Sequence, residues 1–478
     1  MAPPGKKSAP DAPLESPIAF RPCSNGEFCP SPETDQDLSA VSRFRRLVDE
    51  NSKRLGMSRR EYVKSACGTA AALLVINQVY GCGGSDNAGY DAPPAATVDA
   101  GQACELLEGD EFVFDIQVHT PSPVTPWRDD PLPMDAETFI KTVFVDSDTD
   151  VACLSGISAS RNGGVPNVEA RDQLREIINL IGGPRLLYHV NVDPLRGPSE
   201  LDYMADVAEN FKPAAWKVYP QAGPWRLDDA NGLAFIGKSQ ELGVRLIAAH
   251  RGIGADAGGY ADASSPIDLV RAARMNPNVQ FLTYHSGWER TIDEDHPFDP
   301  DEANPHGVDR LIKGMLDEGL GKNSNVYAEL GSTWRNLMTS PNEAAHVFGK
   351  LLLYLGEDRI VWGTDSVFTG SPQEQIVAFR AFQIPLKMQE MYGYPALTDD
   401  IRAKIFGLNG AAAYGVDPEA VRCAIDDDDV SQLKSARLAD PDSVHVPSEK
   451  RYGPRSRREF LRFLSWEDHL DRLSRGQG

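Results

Sequence analysis

Four short stretches of this chain end in side chains that can hold a cation or move a proton. FVFDIQVHT (112–120) places Asp115, Gln117 and His119 at alternate positions. LIAAHRG (246–252) brings His250, FLTYHSG (281–287) brings His285, and IVWGTDS (360–366) brings Asp365. The chain has 9 histidines in 478 residues, and three of them close strand-like apolar runs. Imidazoles and a carboxylate are donors that hold a divalent ion while leaving a position for water, whose pKa then falls to about 7. In such a site Asp365 is suited to accept a proton from water, and His285 to polarise a substrate carbonyl or carry a proton. A single strand-end histidine is as easily a hydrogen-bonded core residue. The case for chemistry rests on several such groups arriving together.

Residues this far apart meet only if their strands end on one face, as in a parallel barrel. Strand-like runs are predicted at 112–118, 150–156, 186–192, 214–219, 244–249, 279–284, 325–330 and 360–363. Their continuous apolar character, as in RLIAAH, suits strands covered on both faces. Helix-like segments alternate with them at 135–144, 168–181, 200–211, 232–242, 265–275, 305–318, 341–355 and 373–392. A final helix is predicted over 399–414. Eight such pairs predict an α/β fold of the (β/α)8 TIM-barrel type. The rival, a doubly wound open sheet, lacks a GxGxxG after the first strand.

With these motifs in order, the chain resembles the amidohydrolase superfamily. The likeness is to the amidohydrolase-related branch that includes aminocarboxymuconate-semialdehyde decarboxylase. It spans 109–420 and rests on DxQxH at strand one, His250, His285, GTD at strand eight and the closing IFGLNGAAAYG. The resemblance implies a barrel of the metal-dependent hydrolase type. It also implies one divalent ion, zinc first and manganese second, held by His119, His250 and Asp365, with His285 assisting catalysis. Gln117 falls where the branch has the first histidine of an HxH pair. An amide carbonyl is the weaker donor for such ions, so a metal-free site is a further option. Lys217, in AAWKVYP, occupies the place of the carbamylated lysine of binuclear relatives. It is read instead as a substrate-facing amine or a structural ion pair. Arg251, Trp288 and Trp334 follow strands five, six and seven and are candidates to shape the pocket, with Lys217 and Arg251 as substrate-binding residues. His189, inside strand three, is read as a core histidine.

The function expected is a metal-dependent hydrolase acting on a small carbonyl compound such as an amide, lactone or ester. The alternatives are a non-oxidative decarboxylase or carbon–carbon hydrolase of the same branch, and a barrel that has lost catalysis and only binds a ligand. Lys+Arg of 48 against Asp+Glu of 70 gives a net charge of −22, which argues against nucleic acid or anionic membrane as partner. Cys23, Cys29, Cys67, Cys82, Cys104, Cys153 and Cys423 form no CxxC pair, which excludes a common type of cysteine zinc site.

The ends divide by composition. Residues 1–57 form a polar N-terminal extension. The segment 58–81, SRREYVKSACGTAAALLVINQVYG, resembles a twin-arginine signal, with Arg59 and Arg60 ahead of a mildly apolar run. That resemblance implies the twin-arginine export machinery as partner and a periplasmic or envelope location. The alternative is a helix of the mature protein. Cys82 faintly resembles a lipoprotein cleavage box. Residues 82–108 read as a linker and 421–478 as a charged tail, in which SRREFLRF (456–463) precedes a polar segment and is predicted to be an amphipathic helix. A homo-oligomer stays open.

Overall fold

The structure, a computed structural model, describes residues 15–21, 23–81, 89–120, 125–129, 131–132, 135–156, 167–223, 225–253, 261–439 and 451–474. Cys82 and its surroundings lie outside the described residues. The eight expected strands are present: β1 (Phe114–Val118), β2 (Val151–Leu154), β3 (Leu186–Asn191), β4 (Ala215–Val218), β5 (Leu246–His250), β6 (Gln280–Tyr284), β7 (Val326–Glu329) and β8 (Ile360–Val361). They pair in chain order, every pair parallel.

β8 returns to β1. Ile116 N–H donates to the Trp362 carbonyl at 3.1 Å, Asp365 N–H donates to the Gln117 carbonyl at 3.0 Å, and Val118 bridges Ser366. The sheet is thus a (β/α)8 TIM barrel. Nearly every strand residue is buried, as expected for strands with helices on one side and barrel interior on the other. The β1–β2 register shifts between Asp115 and Val118, a bulge next to Gln117 and His119 of the kind that re-aims side chains beside sites.

The helices follow the expected alternation with one correction. The segment 373–392 is two helices, Gln373–Ala381 and Leu386–Tyr392, because Pro385 has no N–H to continue the ladder. The closing segment runs from Asp399 through a π turn to Tyr414 and stops at Gly415, whose φ of 67° suits glycine.

The ends are built into the fold. α1 (Asp35–Leu55) starts at a capping box of Thr34 and Asp37, and α2 (Arg59–Lys64) at one of Ser58 and Glu61. α3 (Ala66–Tyr80) buries Ala70, Ala71, Ala72, Leu73, Val75 and Ile76 in the main core. α4 (Ala100–Leu107) packs near the helix Gln373–Ala381. The apolar run of the signal-like segment is therefore a core helix here. At the other end, the helix Arg457–Ser474 forms over the second double-arginine motif, with Phe463 packed against Trp127 and Phe368. No helix among the described residues is long and apolar enough to cross a membrane.

Candidate active site

The C-terminal ends of β1, β4, β5, β6 and β8 bring Gln117, His119, Lys217, His250, His285 and Asp365 to one end of the barrel, each at most 3 % exposed. The backbone there departs from ordinary conformations. Of six described non-glycine residues with positive φ, four are His285 (58°), Ser286 (54°), Ser332 (54°) and Asp365 (59°), all beside this cluster. Such strained positions persist only where the surroundings hold them, and they gather at functional sites.

The groups fall into two sets. In the first, His119 Nε2 lies 2.8 Å from Asp365 Oδ1, and the Gln117 amide is 3.1 Å from that oxygen and 3.3 Å from His119 Nε2. His119 Nδ1 donates to the Ser155 carbonyl at 2.8 Å, which directs Nε2 at Asp365. In the second, His250 Nε2 donates to Glu27 Oε1, and His285 Nε2 is 3.7 Å from Glu27 Oε2. The two rings meet edge to face with centroids 4.7 Å apart. His285 Nδ1 donates to the Gly331 carbonyl at 2.6 Å, so Nε2 keeps its lone pair, and among the described residues it has no hydrogen-bond partner. Asn25 joins the sets: its amide donates to Asp365 Oδ2 at 2.6 Å and to Glu27 Oε2 at 2.7 Å.

Glu27 and Asn25 come from residues 15–21 and 23–31, here called the strap, which crosses the mouth of the barrel. Sequence reasoning missed both, since the region read only as a polar extension. Ile18, Phe20 and Phe28 anchor the strap, and Ser24 N–H donates to the Pro454 carbonyl at 2.9 Å. Glu329, at the end of β7, was missed as well, although an acid closing the apolar VYAE run was a readable signal. Its Oε2 accepts from His285 N–H at 3.0 Å and so fixes the His285 loop. Ser332 donates to Asp365 Oδ2, and the Gln221 amide lies 2.5 Å from His250 Nδ1.

Electrostatics separate the roles. Burial alone would raise Asp365, but the hydrogen bond from His119 and the His119 charge beside it hold it well below the usual carboxylate range. Burial lowers His285 to about 4 and His250 well below its ordinary value, so both are neutral imidazoles near pH 7. Burial lifts Glu329 to about 8, against backbone N–H groups that pull it down. Burial also brings Lys217 down to about 7, with the Glu329 charge opposing. Among the described residues Lys217 Nζ has no hydrogen-bond partner, and it sits 3.0 Å from the centroid of the Tyr284 ring.

The Arg251 guanidinium is fully buried, with Nη2 donating to both carboxylate oxygens of Asp268 at 3.0 and 2.9 Å and Nη1 donating to the His250 carbonyl. It braces the β5 end. Trp334 is core, packed edge to face against Phe348 and Phe379 and tilted against Phe382. His189 is the satisfied core histidine expected, bonded to Tyr414, Tyr284 and Ser155. A groove of 610 Å³ opens beside the strap, lined by Phe28, Gly252, Ile253, Ser264 and Arg290 among others.

The donor set fits a divalent ion. Among the described residues, His285 Nε2 and the Gln117 carbonyl oxygen are buried without hydrogen-bond partners. Ligand atoms of Glu27, His250 and His285 all lie within 4.8 Å of one another. Two carboxylates and neutral imidazoles are donors of the type that hold zinc or manganese.

Residues 164–416 match the family model described as amidohydrolase. No curated protein matches the chain by sequence. Among solved structures the chain is similar to a provisionally assigned 2-pyrone-4,6-dicarboxylic acid hydrolase of Pseudomonas putida, at 14 % identity and TM-score 0.40, covering 64 % of this chain and 98 % of that one. It is similar to 2,6-dihydroxybenzoate decarboxylase of Rhizobium at 13 % identity and TM-score 0.36, covering 64 % and 99 %. It is also similar to manganese-bound 5-carboxyvanillate decarboxylase of Novosphingobium aromaticivorans at 14 % identity and TM-score 0.38, covering 56 % and 78 %.

Proposed function

The chain belongs to the amidohydrolase family, and from that premise we propose that it is a metal-dependent hydrolase of a small carbonyl compound such as a lactone, amide or ester. One observation carries this reading: His119, Gln117, Asp365, His250 and His285 converge, buried, at the C-terminal end of the barrel. His119, His250 and Asp365, with the Gln117 carbonyl, would hold one zinc or manganese ion. When bound, that ion supplies Lewis acidity and lowers the pKa of water.

The chain's own groups do the rest. Asp365, kept ionised, accepts a proton at its carboxylate. His285, a neutral imidazole with a free Nε2, accepts a hydrogen bond or a proton from the reacting group. Glu329 holds the His285 backbone in place. Lys217, with no hydrogen-bond partner on Nζ, is suited to bind a carbonyl or carboxylate oxygen of the substrate.

A second reading, non-oxidative decarboxylation, is supported by the roof over the site. The strap covers the mouth, and a reaction that consumes no water loses nothing by its exclusion. The deciding experiment follows one substrate panel in two ways. Incorporation of oxygen from labelled water into product supports hydrolysis; release of carbon dioxide without it supports the decarboxylase.

We also propose export by the twin-arginine route. Arg59 and Arg60 are exposed at the start of α2. Since Ala70, Ala71, Ala72, Leu73, Val75 and Ile76 are core residues, the chain would travel with this segment retained. Changing both arginines to lysine should leave the protein in the cytoplasm; wild-type levels in the envelope would refute the route.

A further inference from the structure

We propose that Glu27, delivered by the strap, is a ligand of the same cation, so that the N-terminal segment completes the metal site of the barrel. The inference rests on the metal-dependent reading above.

The first argument is position. Glu27 Oε1 accepts from His250 Nε2, and Glu27 Oε2 lies 3.7 Å from the unpartnered Nε2 of His285. His250 Nε2 and Glu27 Oε1 face each other where a cation would bind both atoms, as do His119 Nε2 and Asp365 Oδ1. The Asn25 amide, 2.6 Å from Asp365 and 2.7 Å from Glu27, sets the strap carboxylate against the barrel carboxylate.

The second argument is charge. Imidazole nitrogens bind a cation without bringing charge, and Gln117 supplies an amide where the resemblance implies an imidazole. Asp365 alone brings one negative charge to a divalent ion. Glu27 brings the second and offsets the weak donor at Gln117.

The third argument is construction. Glu27 is held by its neighbours: its backbone N–H donates to Asn25 Oδ1 at 3.0 Å, and Gly26 N–H donates to Ser24 Oγ at 2.9 Å. Gly26 has a φ of 100° and packs so closely that a Cβ there would meet the Phe463 ring at 2.2 Å. The C-terminal helix thus presses the strap onto the site. At 24 % side-chain exposure, Glu27 forms the outer wall of the cluster.

The test is calorimetric titration of the full chain, stripped with chelator and dialysed, with Mn²⁺ and with Zn²⁺, comparing wild type, Glu27→Gln and Glu27→Asp. Wild type is expected to bind one ion per chain. Glu27→Gln should bind at least tenfold more weakly, with an unchanged circular dichroism spectrum, and Glu27→Asp should recover part of the loss. If wild type binds and Glu27→Gln binds as tightly or more tightly, Glu27 is a plug over the site and not a ligand. If wild type itself binds neither ion, the metal reading fails and this inference with it. Should Glu27→Gln not fold, Glu27→Asp decides: a carboxylate set back by one methylene must weaken binding, and wild-type affinity overturns the proposal.

Discussion

Asp365 stands at the join of the two sets of site groups, touching His119, Gln117, Ser332 and Asn25. Asp365→Ala should lower turnover by roughly 10²–10⁴-fold while the barrel stays folded, because the residue lies on the functional face and not in the packed base. Activity within a few-fold of wild type would remove it from the mechanism. Asp115 makes a separate, pH-dependent prediction. Burial pushes its carboxyl from 3.8 up to about 7, against hydrogen bonds from the Thr364 hydroxyl and from the Gln117 and Thr364 N–H groups. Between those values the folded chain holds a proton that the unfolded chain has released. Its contribution to stability is therefore present below pH 3.8 and is lost as pH rises to about 7. The stability of wild type relative to Asp115→Asn should fall across that window by up to about 1.4 kcal/mol per pH unit, read by denaturant unfolding. A constant difference would mean that Asp115 is ionised in the fold throughout. These barrel residues were legible because each closes an apolar run. The ion pair of Arg251 was not legible, since Asp268, its partner, is marked by no motif.

At the scale of elements, the eight strands were readable because each is a short apolar run between helical segments, and burial on both faces demands that pattern. The break at Pro385 was readable in principle from the missing N–H. The strap was not readable. Its anchors Ile18, Phe20 and Phe28 have no period, and several of the strap's partners lie hundreds of residues away, as in the bond from Ala19 N–H to Glu374 and the packing of Arg290 on Phe28. The strap tolerates little change where it meets the C-terminal helix. Gly26→Ala adds a methyl group at a φ of 100° and against Phe463, a cost of roughly 1–3 kcal/mol. A melting temperature lowered by several degrees is expected, together with weaker metal binding, since Asn25 and Glu27 flank the site of the clash. An unchanged melting temperature would show that the strap is not pressed onto the barrel as described.

For the whole molecule, the segments flanking the barrel behave as parts of it. α3 covers the core with Leu73, Val75 and Ile76, each worth roughly 1.5–3 kcal/mol when fully buried. A chain starting at residue 109 exposes what α3 and the strap cover, and it should be aggregated or unfolded where the full chain is soluble. A monodisperse, cooperatively melting 109–478 fragment would make the flanks dispensable. The burial of these flanks was not legible for one physical reason: local composition reports solvation and propensity, whereas burial is decided by surfaces that the folded barrel supplies. The central claim is that this site works through one divalent ion, and elemental analysis coupled to activity tests it most directly. Protein purified without chelator should carry one equivalent of zinc or manganese, lose activity when stripped, and regain it when the ion is restored. Wild-type protein that is free of metal and fully active would contradict the account.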